Sequence, residues 1–348
     1  MQFVLSLLLL CHFAVQAAEL PGIPQFIDDM VVKHQFRRDE MEKVFAHAQH
    51  LPAVIEAISR PATTRPWPEY RAAFVNKKRV RLGLAFWSKY RQTLRRAEKR
   101  YGVPQEVIIA VIGVETIYGQ NAGNFLVLDA LTTLAFDYPR RADFFRSELE
   151  NYLLLARDRQ FDLLAIRGSY AGAMGIPQFM PSSYRNYAVD FNANSTIDLL
   201  RENIDAIGSV ANYLQGYGWI RGEPVAVRAQ AGGELPEGAG RTPRSLAEWA
   251  AAGVVPSADF APDTRRAREP DLTTSHLTSP AKDAGQVIGY LRGKSARLVD
   301  FTVEAGKESW LAFNNFEVIT RYNNSDYYAM SVFQLAEELK VAREAGAP

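Results

Sequence analysis

Cysteine is nearly absent from this chain: Cys11 is the only one in 348 residues. A fold stapled by disulfides is therefore excluded, and packing must hold the protein together. An excess of one charge is missing too. The 40 basic and 39 acidic side chains leave a formal net charge of +1, which supplies no field for gripping nucleic acid or an anionic membrane. No nucleic-acid partner is expected. The apolar run Phe3–Leu10 is too short to span a bilayer, and no internal repeat points to a solenoid.

What is present is globular: 47% of residues are hydrophobic and 23% charged. At this length a single core stops growing, so a multi-lobed enzyme is expected. Residues 1–17 have the form of a secretory signal peptide, the apolar run being followed by the small-residue pattern Val15-Gln16-Ala17, with cleavage after Ala17. Absence of Lys or Arg before the run departs from that pattern, and an ordinary buried N-terminal helix is the alternative. Cys11 follows Leu8-Leu9-Leu10 and lacks the small residue that precedes a lipidated cysteine, so no lipid anchor is expected. The reading is a soluble exported protein whose mature chain has no cysteine.

From Pro24 to about Gln160 apolar residues recur at helical spacing, punctuated at Leu51-Pro52, Tyr101-Gly102, Gly119 and Tyr138-Pro139. The pattern stops at GSYAGAMGIPQFMPSS, where Gly168, Gly172, Gly175, Pro177 and Pro181 favour a folded loop. Helical spacing returns over Ile204–Leu214. Short strands are expected at Pro224–Ala229, Ala296–Val303 and Leu311–Phe313, and an exposed loop at Thr264–Lys282. Tyr327–Ala345 resumes the helical pattern. The expected organisation is a helical lobe and catalytic core over 18–222, a small mixed insertion over 223–308, and the last part of the core over 309–348.

One stretch, IGVETIYGQN, poses a chemical question. Val107, Ile108, Ile109, Val111, Ile112 and Val114 are apolar on nearly every face, which marks a helix buried all round. Yet Glu115 stands in its last turn. Burial and the negative end of the helix dipole both disfavour the carboxylate, so its pKa should rise. A carboxyl still protonated near neutrality is what a general acid needs to protonate a glycosidic oxygen. The alternative is a Glu turned to solvent or paired with Arg140 or Arg141. Asp129, Asp137 and Asp143 are the nearest acids in sequence, but each fits a helix cap or surface position equally well. With no partner acid, the substrate itself must supply the nucleophile.

Five motifs in order then carry a resemblance: GVETIYG around Glu115, LTTLAFDYPRRADFF at Leu131–Phe145, GSYAGAMGIPQFMPSSY at Gly168–Tyr184, DAIGSVANYL at Asp205–Leu214, and ITRYNNSDYYAM at Ile319–Met330. From roughly Gln25 to Leu339 the chain resembles the B-type lytic murein transglycosylases, glycoside hydrolase family 103. The resemblance implies an α+β, predominantly α-helical fold: a lysozyme-like core with a helical N-terminal lobe and a small β-containing insertion. It implies cleavage of the β-1,4 bond between N-acetylmuramic acid and N-acetylglucosamine in peptidoglycan, leaving 1,6-anhydromuramoyl ends without water. Glu115 would act first as acid and then as base. Ser169 and Gln178 match residues that hydrogen-bond sugar, and Tyr70, Tyr213, Tyr322 and Tyr328 match aromatics lining the glycan groove. Asn323 matches a polar residue beside the acid, and Met174 a residue shaping the groove. Isolated tyrosines are more often core residues, and a flexible gap-filler would look like Met174.

Relatives also carry an EF-hand-like calcium loop, which here matches Asp190, Asn192, Asn194, the Thr196 carbonyl and Asp205. Ser195 stands where glycine usually makes the turn, and Arg201 where a bidentate Glu belongs. An Asx-rich surface loop is the alternative, and no cofactor is expected to be required for catalysis. The implied setting is the periplasm, with peptidoglycan strands as substrate, cell-wall synthesis or division proteins as candidate partners, and a monomer as the expected state. Rival readings are a water-using muramidase on the same scaffold and a non-catalytic glycan-binding protein.

Overall fold

The structure is a computed structural model that describes residues 20–60, 65–233, 238, 240–257, 291 and 293–346. The expected leader, residues 1–17, and the loop expected at Thr264–Lys282 lie outside the described residues. In chain order the helices are α1 (Ile23–His34), α2 (Arg38–His47), α3 (Pro52–Ser59), α4 (Trp67–Phe74), α5 (Lys77–Lys89), α6 (Arg91–Tyr101), α7 (Gln105–Thr116), α8 (Val127–Asp137), α9 (Ala142–Arg159), α10 (Pro181–Tyr187), α11 (Asn203–Gly216), α12 (Leu246–Ala251), α13 (Asn314–Thr320) and α14 (Asp326–Glu344). The strands are β1 (Phe125–Leu126), β2 (Arg167–Gly168), β3 (Ala226–Ala231), β4 (Arg244–Ser245), β5 (Val254–Pro256), β6 (Ser295–Val303) and β7 (Gly306–Ala312). The mostly helical α+β class is as expected. Two units divide the chain, one of residues up to 61 with Ala122–Arg185, the other of 62–121 with Asn186–Pro348.

In the first unit α8 packs on α9 and α3, burying Leu128, Leu131 and Leu134 from one helix and Leu149, Tyr152 and Leu153 from the other. Asp129 corrects the sequence reading. It is only 5% exposed, neither capping nor on the surface, and its carboxylate accepts the Gln49 backbone N–H at 3.0 Å. Asp137, by contrast, is half exposed and pairs with His50, and Asp143 lies on the surface beside Arg146.

In the second unit α7 runs against α5, α6, α11 and α14, which is why its sequence lacks a polar face. Each large aliphatic side chain buried there contributes about 1.5–3 kcal/mol. The insertion forms one antiparallel sheet in the order β4-β6-β7-β3-β5. Its apolar centre gathers Val227, Trp249, Val254, Leu298, Leu311 and Phe313, and the Trp249 indole N–H is satisfied by the Ala296 carbonyl at 2.7 Å. Two of the expected strands stand nearly in place. The third starts earlier than expected, at Gly306, because polar Lys307, Glu308 and Ser309 pair with β6 although they carry no apolar signal. Consequently β7 crosses the boundary expected at 308.

Aromatic and charged side chains tie this sheet to the helices: Phe301 of β6 packs on Trp67 and Tyr327, and Trp310 of β7 on Phe333. Arg297 of β6 forks onto the Asp326 carboxylate at 2.6 and 3.0 Å and donates to Glu317 at 2.9 Å. Asp326 opens α14, where the Ser325 side chain accepts the Tyr328 backbone N–H as a cap.

Candidate active site

Ten of the twelve α7 residues are buried, and the helix delivers Glu115 at its last turn. The Glu115 Oε1 accepts a 2.5 Å hydrogen bond from the Tyr328 hydroxyl. Burial pushes the carboxyl up to about 7, and the Tyr328 bond, which favours the charged form, works against that rise. Near neutrality the group is thus divided between acid and carboxylate, the state required of something that must give a proton and take one back. The alternative of a solvated or Arg-paired Glu does not hold, because its partner is a phenol.

The four sequence-predicted tyrosines gather around this acid. Burial pushes the hydroxyls of Tyr70, Tyr213, Tyr322 and Tyr328 up, Tyr70 to about 12, and the Glu115 charge adds to the rise, although at Tyr213 the neighbouring Tyr217 adds more. Their roles are more structural than expected. Tyr70 is 5% exposed and packs against Trp67, Phe74 and Tyr327; Tyr213 is 4% exposed and donates to the Arg321 carbonyl at 2.6 Å. Tyr322 is half-buried and stacks on Tyr328 with ring centroids 6.3 Å apart. Asn323 is exposed in the turn between α13 and α14, and among the described residues its side chain makes no hydrogen bond to Glu115. Sequence reasoning missed Trp67 and Tyr327, which back Tyr70; the aromatic run Tyr327-Tyr328 was the available signal.

The first unit carries the Gly-rich loop. The Ser169 hydroxyl oxygen accepts the Ala171 and Ala173 N–H groups at 3.2 and 3.0 Å, which leaves its own hydrogen to donate elsewhere. Gln178, with φ 52, donates through Nε2 to the Ala122 and Gly175 carbonyls, leaving its Oε1 to accept. Met174 has no exposed surface. Its expected place in a sugar groove gives way to packing, its backbone being bonded in both directions to Phe179.

At the expected calcium loop the side-chain oxygens turn inward. Asp190 accepts the Asn194 and Ser195 N–H groups, Asn192 the Asn194 N–H, and Asn194 the Thr196 N–H. Ser195 adopts φ 70, making the turn that glycine usually makes. Buried Asp205 accepts N–H groups from Phe191, Asn192 and Asp198 and so anchors the loop. The donor set fits a hard cation weakly. Among the described residues no three His, Cys, Asp or Glu side chains are grouped to hold a metal, so amide and carbonyl oxygens would carry most of the coordination.

A helical core that delivers one partly buried acid into a nest of phenols defines a lysozyme-like, glycan-cleaving class of protein. The chain belongs to the family described as "Transglycosylase SLT domain", whose model matches residues 19–337. It is 41% identical over 338 residues to "Membrane-bound lytic murein transglycosylase B" of Escherichia coli K12, covering 94% of this chain and 84% of the relative. Solved structures of the E. coli lytic transglycosylase Slt35, one with bulgecin A and one with calcium, are 40% identical, with TM-scores of 0.78 and 0.77; both cover 94% of this chain and 95% of that one. SltB3 from Pseudomonas aeruginosa, solved with NAG-anhNAM-pentapeptide, is 30% identical with a TM-score of 0.72, covering 92% of this chain and 80% of its own.

Proposed function

We propose that this protein is a lytic murein transglycosylase that cuts the β-1,4 bond between N-acetylmuramic acid and N-acetylglucosamine and closes the muramoyl end into a 1,6-anhydro ring. The observation that carries this reading is the Glu115 carboxyl, which burial pushes up to about 7 and which accepts the Tyr328 hydroxyl at 2.5 Å.

In the first step Glu115 gives its proton to the glycosidic oxygen, and the C1–O bond breaks with its electron pair leaving on that oxygen. The substrate's N-acetyl carbonyl shields the positive charge at C1. Glu115, now a carboxylate steadied by the Tyr328 hydroxyl, then takes the proton from the C6 hydroxyl as its oxygen bonds to C1. Glu115 ends protonated, and no water is consumed. The P. aeruginosa relative bound to an anhydro-muramoyl fragment supports this outcome.

Mass analysis of products from purified sacculi tests the reading. The expected products are anhydro-muropeptides that resist borohydride reduction. Reducible muramoyl ends would replace it with the hydrolytic muramidase, and no products at all with a glycan-binding protein.

Its substrate implies a periplasmic location reached through the leader at residues 1–17. The E. coli relative is named as membrane-bound, whereas among the described residues here no helix is long and apolar enough to cross a membrane.

Calcium belongs to the same reading as a structural ion held by Asp190, Asn192, Asn194 and the Thr196 carbonyl, while Asp205, the fifth expected ligand, is taken up by three backbone N–H groups. Since the loop already satisfies itself, millimolar calcium should stabilise the protein by only ~1 kcal/mol. Thermal melts with calcium and with chelator check this: a small rise that disappears in Asp190→Ala is expected, with turnover unaffected by chelation. No shift at any calcium concentration would remove the ion from the account.

A further inference from the structure

Directly after Glu115 the backbone does something costly. Ile117, Tyr118 and Gly119 have φ of 52, 60 and 86, three successive left-handed residues of which only the last is glycine. A β-branched residue there is a genuine outlier, which persists only when its surroundings over-determine it. What surrounds it is specific. The Tyr118 ring fills a slot made by two glycines: a Cβ at Gly83 of α5 would lie 2.5 Å from the Tyr118 hydroxyl oxygen, and one at Gly113 of α7 2.6 Å. The hydroxyl donates to the Arg79 carbonyl at 2.8 Å, and the Arg79 side chain returns a bond from Nε to the Gly113 carbonyl at 3.0 Å. Glu115 sits between Gly113 and Thr116, and the Thr116 hydroxyl oxygen accepts the Gly119 N–H at 2.9 Å.

We propose that Tyr118 is a positioning residue for the reaction: wedged between α5 and α7, it holds the left-handed exit from α7 and so fixes where the Glu115 carboxyl points. Tyr328 grips one oxygen of that carboxyl, but a single bond does not orient the other. The turn supplies the remaining constraint. Both helices meet the same latch, Arg79 linking to Tyr118 by its carbonyl and to α7 by its guanidinium. This inference rests on Glu115 being the acid.

Three variants test it, with Glu115→Gln as the reference for the underlying reading. In Tyr118→Phe the ring stays and the latch to Arg79 opens. A small misplacement of a catalytic group is enough to lower kcat about ten- to a hundredfold. KM should stay unchanged, and the alkaline limb of the kcat profile should move to lower pH as the carboxyl gains water. Asn adopts the left-handed conformation more readily than Ile, so adding Ile117→Asn to Tyr118→Phe should restore part of the lost kcat. On its own, Ile117→Asn should raise the thermal midpoint. Wild-type kcat in Tyr118→Phe would overturn the inference, as would parallel loss of kcat and midpoint without rescue by Ile117→Asn. Should Tyr118→Phe not fold, a lowered midpoint in Ile117→Asn alone would show that the turn is unstrained and overturn it equally. Turnover retained by Glu115→Gln would instead defeat the assignment of the acid, a separable result.

Discussion

Glu115→Gln is expected to stop the release of muropeptides while leaving glycan capture largely intact. The carboxamide keeps the shape and still accepts the Tyr328 hydroxyl, but it has no acidic proton for the leaving oxygen and no base for the C6 hydroxyl. Loss of one general acid–base group removes about 10²–10⁴ in rate, and here one residue serves both steps, so a fall of ~10³ or more in kcat is expected. The same substitution should raise stability. The folded carboxyl holds its proton up to about 7, against an ordinary 4.5, so folded protein binds that proton more tightly than unfolded chain. Relative to the Gln variant, wild type therefore suffers no penalty below pH 4.5, loses stability as the pH rises, and above pH 7 bears the full deficit of about 3 kcal/mol. Thermal melts on either side of that window check the sign: equal midpoints at low pH, a higher midpoint for Gln at high pH. Equal midpoints throughout would mean an ionised, hydrated side chain, and the proposed chemistry would lack its donor. Wild-type turnover should fall along an alkaline limb near pH 7 for the same reason.

Gly123→Ala is expected to unsettle the first unit more than any other single methyl added there. Gly123 has φ 95, and a Cβ would stand 2.1 Å from the Gly168 carbonyl oxygen and 2.7 Å from the Ser169 nitrogen. These are backbone atoms at the point where β1 pairs with β2, and they cannot swing aside. Forcing them apart should cost about 3 kcal/mol, or roughly 6–12 °C in Tm, and should loosen the Ser169 turn at the same time. Gly218→Ala provides the control. Gly218 is also left-handed, with φ 93, but nothing lies within 4 Å of the added carbon, so only the ~1–2 kcal/mol of backbone strain applies. Calorimetry of both variants decides: identical midpoints would mean that the two backbones do not approach as described.

The raised pKa of Glu115 was legible because its signal is local. An all-round apolar helix ending on a carboxylate predicts both burial and a raised pKa, and no distant residue is needed to say so. The Gly-rich loop and the Tyr322–Tyr328 run were legible through composition. What escaped depends on partners remote in sequence. Asp129 looked like a surface acid because the backbone N–H it satisfies belongs to Gln49, 80 residues away. Met174 and Tyr70 were matched to groove residues by the family resemblance, and their burial agrees instead with the packing role that their chemistry alone also allowed. Gly83 and Gly113 gave no hint of their function, since the slot they form exists only when α5 and α7 pack with Tyr118 between them. Arg297 was equally silent: a basic residue in an alternating strand pattern usually faces water.

That guanidinium changes how the inserted sheet should be understood. Because it bridges β6 to the first turn of α14, two residues before Tyr328, the sheet and the phenol that steadies the acid are mechanically one object. Heat that frays the insertion would slacken the Tyr328 grip on the Glu115 carboxyl before the helices themselves give way. Thermal inactivation should then run ahead of global melting, and a chimera that replaces the insertion must keep this fork together with the packing of Phe301 on Trp67 and Tyr327 and of Trp310 on Phe333.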